Sequence, residues 1–296
     1  MRIREGEAPA LSLYLSGQHH EGPFDAVWVR RRHEPRAAPD GHPDDTPFVL
    51  SEAERFLQSA LACAGHATTH WVNHPLHDNR LTPKLVQLSV AAEMGFRIPP
   101  TLAGNHHGDV LAFYDECRGE LISKYMHQSY WQNEDGSRTV SRTSKLKAEH
   151  LADAFPVQAC PTIYQRQLGK QYELRVTVMG DNAIAVAIDS QRDGPTVDWR
   201  REGGYGQLRP YTLEPDLAGR CIALCRKLGL AFGAIDLVVG EQGDIYFLEV
   251  NAAGQFLWKE FALPELPLLD TFCRYLADPA YRMAPQAAPL RVKRTP

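Results

Sequence analysis

Acidic and amide side chains collect in one short stretch, residues 233–258. There Gly233-Ala-Ile-Asp-Leu-Val-Val runs into a glycine-rich turn and then into Asp244-Ile-Tyr-Phe-Leu-Glu-Val-Asn. Both halves read as short apolar strands joined in a hairpin. A two-residue loop at Gln242-Gly243 sets Asp236 opposite Glu249, and Glu249 and Asn251 share a face because strand side chains alternate. Two carboxylates and an amide oxygen then converge on one face, while Ile235, Leu237, Leu248 and Val250 point to the other. Directly opposed carboxylates repel. A hard cation such as Mg²⁺ relieves that repulsion with oxygen ligands and leaves positions for water and phosphate oxygens. The competing reading is an ordinary hairpin with a solvated acidic side. Ala234, Val238, Ile245 and Phe247 flank the acids, however, so the face is half-buried, and half-buried like charges require a partner.

Other residue types that suit anion chemistry lie upstream. Lys124 sits in an apolar strand with Ile122 and Met126 on its side, and needs either a phosphate or a core acid. Lys84, at the start of a helix, reads on its own as a surface lysine. Glu173 and Arg175 alternate in a strand and share a face, as a cross-sheet ion pair or as part of a site. Arg200, in Asp198-Trp-Arg, lies on a loop; an arginine near a metal-phosphate site stabilises charge developing in phosphoryl transfer, and a solvated loop arginine is the alternative. His66, His70 and His74 have helical spacing and His77 follows, but Thr68, Thr69, Trp71 and Val72 make the segment a strand, which scatters the imidazoles over two faces. No Walker P-loop, G-x-G-x-x-G, G-x-S-x-G or H-E-x-x-H motif is present.

The elements that must position these groups alternate between strand and helix. Residues 11–15, 26–29 and 68–72 read as strands, with a Pro/Gly/Asp-rich loop bearing Arg30, Arg31, Arg32, His33 and Arg36. A helix capped by Ser51, with Glu54 at the capping-box position, runs to about residue 64. Another runs over 83–95, after Thr82, with proline first and glycine last. Strands follow at 111–114 and 120–126, then a polar loop or hairpin over 127–147. Strands at 162–168, 172–179 and 183–189, a loop at 192–209 and helices at 217–228 and 266–276 complete the pattern. The division is an N-terminal domain (1–97), a central domain (98–155), a C-terminal domain (156–282) and a disordered tail (283–296). At 296 residues, with 44% hydrophobic and 23% charged side chains and a net charge of −4, the chain has the composition of a soluble globular protein. Nothing suggests a nucleic-acid or membrane partner. No signal peptide is legible, and the six cysteines form no C-x-x-C pair, so a reduced, cytoplasmic protein is expected.

In chain order these pieces resemble the ATP-grasp superfamily, and within it the microviridin-type peptide ligases that make graspetides. The resemblance spans roughly residues 25–258. It rests on Asp25-Ala-Val-Trp-Val-Arg-Arg, Trp71-Val-Asn-His-Pro, Lys84-Leu-Val-Gln-Leu with Ile98-Pro-Pro-Thr, and Ile122-Ser-Lys. It continues in Tyr164-Gln-Arg-Gln-Leu, Glu173-Leu-Arg-Val-Thr-Val, Ser190-Gln, Asp198-Trp-Arg, Phe232-Gly-Ala-Ile-Asp and Phe247-Leu-Glu-Val-Asn with Gly254-Gln-Phe.

The resemblance implies an α/β (α+β) ATP-grasp fold, two lobes enclosing ATP behind an N-terminal pre-ATP-grasp domain. It implies ATP and Mg²⁺ as cofactors, with Asp236, Glu249 and Asn251 on the metal. Lys84 and Lys124 would contact phosphates or adenine, Glu173 would help bind the cofactor, and the backbone of Gln165, Arg166, Gln167 and Leu168 would read adenine. Arg175 and Arg200 would steady an acyl phosphate, and residues 127–147 would cover the nucleotide. The implied partner is a precursor peptide with a leader and a core bearing Ser/Thr/Lys and Asp/Glu; a homodimer is compatible with it. The chain departs from the family pattern at Ala252-Ala253, where proline commonly follows the asparagine. An amino-acid ligase of the ribosomal-protein glutamate ligase kind, or a non-catalytic ATP-binding regulator, would share the ATP motifs.

Overall fold

A computed structural model of the protein describes residues 2–5, 11–30, 35–66, 68–75, 83–126, 130–140, 143–190 and 207–284. The N-terminal part forms a hairpin, β1 (Ser12–Leu15) and β2 (Gln18–Glu21). A βαβ unit follows, in which β3 (Ala26–Trp28) and β4 (His70–Val72) pair in parallel across α1 (Thr46–Ala62), as a crossover requires. α1 starts at Thr46-Pro47, five residues before the expected Ser51 cap, because proline suits a first turn whose N–H groups have no helical partner. After α2 (Lys84–Glu93) come β5 (Thr101–Gly104), α3 (His107–Glu116), β6 (Leu121–Lys124), a hairpin of β7 (Tyr130–Gln132) and β8 (Arg138–Val140), β9 (Ser144–Leu146), α4 (Phe155–Ala159) and β10 (Thr162–Arg166).

The strand expected at 111–114 is wrong: those residues lie inside α3. The governing period is helical, with Val110, Phe113, Tyr114 and Cys117 packed into one core with Leu151, Val157 and Tyr164, and the His106 ring accepting from Asp109 N–H at 3.3 Å. The strand in this part is β5 instead. It belongs to a four-stranded sheet ordered β5-β10-β6-β9, so this sheet takes in a strand from beyond residue 156.

The rest builds one antiparallel sheet. β11 (Lys170–Met179), β12 (Asn182–Asp189) and β13 (Gln207–Tyr211) are followed by α5 (Pro215–Lys227), β14 (Phe232–Gly240), β15 (Ile245–Asn251), α6 (Trp258–Ala262) and α7 (Leu268–Ala277), in the sheet order β13-β12-β11-β14-β15. Alternation on β11 and β14 divides its two faces. Leu174, Val176, Val178, Ile235, Leu237 and Val239 pack against α2 and α5. On the opposite face Met179 and Phe232 join Phe256, Leu268, Phe272 and Tyr275 in a second core, and beyond them the face turns polar. The expected tail lies mostly outside the described residues.

Asn73 fastens the βαβ unit to this sheet. Its Nδ2 donates to Phe232 O and Ala252 O at 2.8 Å each, and its Oδ1 accepts from Ala231 N–H at 2.7 Å and Phe232 N–H at 2.8 Å, with the Asn73 side chain itself buried. One side chain thereby joins the start of β14 to the end of β15. Asn73→Ala leaves these backbone groups unpaired and is expected to cost about 3 kcal/mol or more in denaturant unfolding.

Candidate active site

The register of three neighbouring strands lines up the charged groups. Arg175 on β11 faces Asp236 on β14, and Asp236 faces Glu249 on β15. The next row is Thr177, Ala234 and Asn251. The expected carboxylate pair is present, but its local route differs. The turn is a three-residue loop, 241–243, with Gly243 at φ +85° and Gly240 N–H bonded to Asp244 O at 2.8 Å. An odd loop shifts the pairing, so Leu237 faces Phe247, and a bulge at Leu248 restores Asp236 to Glu249. Phe247 therefore does not flank the acids; it is fully buried in the core beneath α2 and α5.

Each acid already has a cation. Arg175 Nη1 donates to Asp236 Oδ1, and both residues are buried. Lys84 Nζ lies 3.3 Å from Glu249 Oε2, while Asn251 Nδ2 donates to Glu249 Oε1 at 3.3 Å. The repulsion that the sequence suggests is thus offset by protein charges on either side. Lys84 also donates to Tyr125 O at 3.3 Å, so a lysine that reads as surface ties α2 to the end of β6 and to β15. Three residues further along α2, Gln87 Oε1 accepts from Val250 N–H at 2.9 Å and fixes the helix on the edge strand.

Lys124 reaches the same place from the four-stranded sheet. Burial pushes its ammonium down to about 8; Glu249 works against that shift and Lys84 with it. Glu173 is buried 2.5 Å from Lys170 Nζ, and burial pushes its carboxyl up while Lys170 holds it down. The structure so gathers Lys84, Lys124, Glu173, Arg175, Asp236, Glu249 and Asn251. Arg200 lies outside the described residues.

The Gln165–Leu168 stretch is arranged differently from the charged row. The Gln165 side chain is buried on Thr101 Oγ1 at 2.9 Å, and Arg166 is exposed. The N–H groups of Arg166 and Gln167 are engaged by Pro100 O at 3.0 Å and Glu120 O at 2.8 Å, and the chain then passes from one sheet into the other. Sequence reading missed Lys170, Thr177 and Lys259. Lys259 has no exposed surface and its Nζ donates to Thr177 Oγ1, yet in Trp258-Lys-Glu it looks like any helical surface lysine.

Two carboxylates and an amide on one face form a hard, all-oxygen donor set. That suits Mg²⁺, which takes one or two carboxylates and completes its octahedron with phosphate and water oxygens. Beside it, Arg175 Nε is buried without a hydrogen-bond partner, a donor left over for a ligand. Among the described residues no group of three or more His, Cys, Asp or Glu could hold a metal ion; of the four histidines weighed, His77 lies outside them.

No protein-family model matches the chain, and no curated protein matches it. Solved structures do. Macrocyclase MdnC from Microcystis aeruginosa MRC, bound with precursor peptide MdnA, aligns over 90% of this chain and 82% of its own at 26% identity and a TM-score of 0.77. Macrocyclase MdnB from the same organism aligns over 94% and 85% at 26% identity, TM-score 0.75. A Chryseobacterium gregarium RiPP-associated ATP-grasp ligase, in complex with ADP and a leader and core peptide, aligns over 92% and 85% at 24% identity, TM-score 0.81. The chain has the ATP-grasp ligase fold.

Two measurements probe the geometry. A Cβ on Gly254 would lie 2.6 Å from Ala234 Cβ and 3.0 Å from Arg175 Nη2. Gly254→Ala is expected to lower stability by about 1–3 kcal/mol in denaturant unfolding, and Ala234→Gly in the same chain to recover part of it. Because Lys124 is charged below about 8 and neutral above it, the dissociation constant of a polyphosphate should rise as pH climbs past that value. In calorimetric titrations from pH 6.5 to 9.5 (about the span a single titration needs), that rise should vanish in Lys124→Gln.

Proposed function

We propose that this chain is an ATP-dependent peptide macrocyclase. It would phosphorylate Asp or Glu side chains of a ribosomally made precursor peptide and join them to Ser, Thr or Lys side chains as ω-esters or ω-amides. The observation that carries this reading is the row Arg175–Asp236–Glu249, flanked by Lys84 and Lys124, on a fold shared with two macrocyclases at 26% identity. MdnC bound to a precursor peptide, and a ligase bound to ADP with leader and core, support a peptide partner here.

Asp236, Glu249 and Asn251 would hold Mg²⁺, and Lys84 and Lys124 the phosphate oxygens. When bound, ATP supplies the phosphoryl group that turns a carboxylate into a good acyl donor. Arg175 would orient that carboxylate and stabilise charge developing on it, a role its unpartnered Nε supports. Arg200 is kept as a second arginine in this role. Since the Arg166 and Gln167 N–H groups are engaged, the adenine edge falls to their carbonyls and to Leu168. The β7–β8 hairpin, which pairs with no other described strand, would cover the nucleotide and keep water from the acyl phosphate.

In this reading residues 1–97 are the pre-ATP-grasp domain, the small lobe runs from 98 through β10, and the metal-binding lobe runs from β11 to 282. Among the described residues no helix is long and apolar enough to cross a membrane, and a cytoplasmic site of action suits an ATP-dependent step on a ribosomal product.

The test uses a short peptide encoded beside the gene, rich in Thr/Ser/Lys and Asp/Glu near its C-terminus. With enzyme, ATP and Mg²⁺ it should lose one water mass per bond formed. A gain of whole amino acids would support a glutamate-ligase activity instead, and the absence of ATP turnover with any peptide would leave a nucleotide-binding regulator. Asp236→Asn and Glu249→Gln should each lower turnover by more than about a hundredfold, measured as ADP release, with circular dichroism unchanged.

A further inference from the structure

Lys259, like Lys170 and like Thr177 beside it, has no part in the proposed reaction. It is fully buried on α6, and its Nζ donates to Thr177 Oγ1, itself fully buried on β11. The charged groups that face it are Arg175 from β11 and Asp236 from β14. Burial and the Arg175 charge push its ammonium well below the ordinary range, with Asp236 opposing. A buried lysine with only a hydroxyl partner is costly for stability, and an apolar side chain of similar length would serve the core as well or better. Packing alone does not call for it: Phe256, three residues earlier, already anchors this segment among Phe232 and Phe272.

Lys259 lies at the far end of the chain segment that joins β15 to α6. That segment leaves Asn251, turns with Gly254 N–H bonded to Asn251 O at 3.3 Å, and places Gly254 against the Arg175 guanidinium, so close that a Cβ would stand 3.0 Å from Nη2 and 3.2 Å from Asn251 Cβ. One end of the segment is held by the β14–β15 ladder, and the other by Lys259 gripping Thr177, two residues along β11 from Arg175. We propose that Lys259 is a positioning residue, whose hydrogen bond to Thr177 presses the turn after Asn251 onto Arg175 and keeps the guanidinium aligned with Asp236 and with the carboxylate being activated. This assignment rests on the macrocyclase reading for its catalytic consequence and on the geometry alone for its structural one.

The experiment compares Lys259→Met, Thr177→Val, the double variant and Thr177→Ser. Lys259→Met and Thr177→Val should each lower kcat for crosslinking by about tenfold or more. KM for ATP should stay within about twofold; the thermal midpoint should hold in Lys259→Met and fall in Thr177→Val, which leaves the Lys259 amine buried without its hydroxyl partner. The double variant should be no slower than the worse single one, since both remove the same bond, and Thr177→Ser, which keeps the hydroxyl, should restore wild-type kcat. Wild-type kcat in a folded Lys259→Met or Thr177→Val protein, or losses that multiply in the double variant, would overturn the assignment. Thr177→Val, close to threonine in shape, carries the test if Lys259→Met folds poorly.

A second readout needs neither nucleotide nor peptide. In arginine-labelled protein the Nε–H resonance of Arg175 should exchange slowly with solvent, and faster in Lys259→Met and Thr177→Val; equal rates would overturn the proposal. If the resonance responds while the wild-type chain links no peptide, the positioning role stands and the macrocyclase reading falls.

Discussion

The pairing of Arg175 with Asp236 across β11 and β14 is the contact around which the other charged groups are arranged. A buried carboxylate needs a counter-charge, and once Asp236 is fixed the β14–β15 register sets Glu249 beside it. Two adjacent acids on a half-buried face are tolerable only within a positive surround. Lys84 comes from the start of α2, Lys124 from the end of β6 and Lys170 from the start of β11, with the buried Lys259 amine behind them. Against Glu173, Asp236 and Glu249 the balance favours cations, which suits a site that receives a metal-bound polyphosphate.

The rest of the fold keeps that row rigid. The sheet buries one apolar face under α2 and α5, and the same helix α2 reaches around the edge to present Lys84. Asn73 and Gln87 then bind the ends of β14 and β15 through side-chain to backbone bonds, which are costly to break in a buried setting. Two sheets contribute: Lys124 approaches from the four-stranded one, and the remaining groups lie on or beside the five-stranded one. Residues 167–169 are a direct covalent link between them. A change in the angle between the sheets would therefore change how far Lys124 stands from Glu249, a coupling suited to closure on a ligand.

Much of this was legible in the residues. Period-two alternation placed Glu173 with Arg175 and Glu249 with Asn251, and the two-residue loop that set Asp236 opposite Glu249 reached the right pair only because the bulge at Leu248 offsets the actual three-residue loop. The failures have physical causes. In 110–117 a run of apolar residues has helical spacing, and reading only Leu111 to Tyr114 conceals the period. The bulge at Leu248 follows from a three-residue loop with a left-handed glycine, which a count of turn residues does not distinguish from a two-residue loop. Lys84 on its own read as a surface lysine and Lys259 was missed as a buried one, because their neighbours in sequence are those of surface helices. Only tertiary packing brings Glu249 to one and Thr177 to the other.

In the proposed reaction this row activates a peptide carboxylate by phosphorylation. The most direct test labels the Asp and Glu side-chain carboxylates of the precursor peptide with heavy oxygen and follows the phosphate released during crosslinking. One labelled oxygen should appear in phosphate for each bond formed, because the acyl phosphate retains a carboxylate oxygen as its bridge to phosphorus. Crosslinked peptide accompanied by unlabelled phosphate would contradict it.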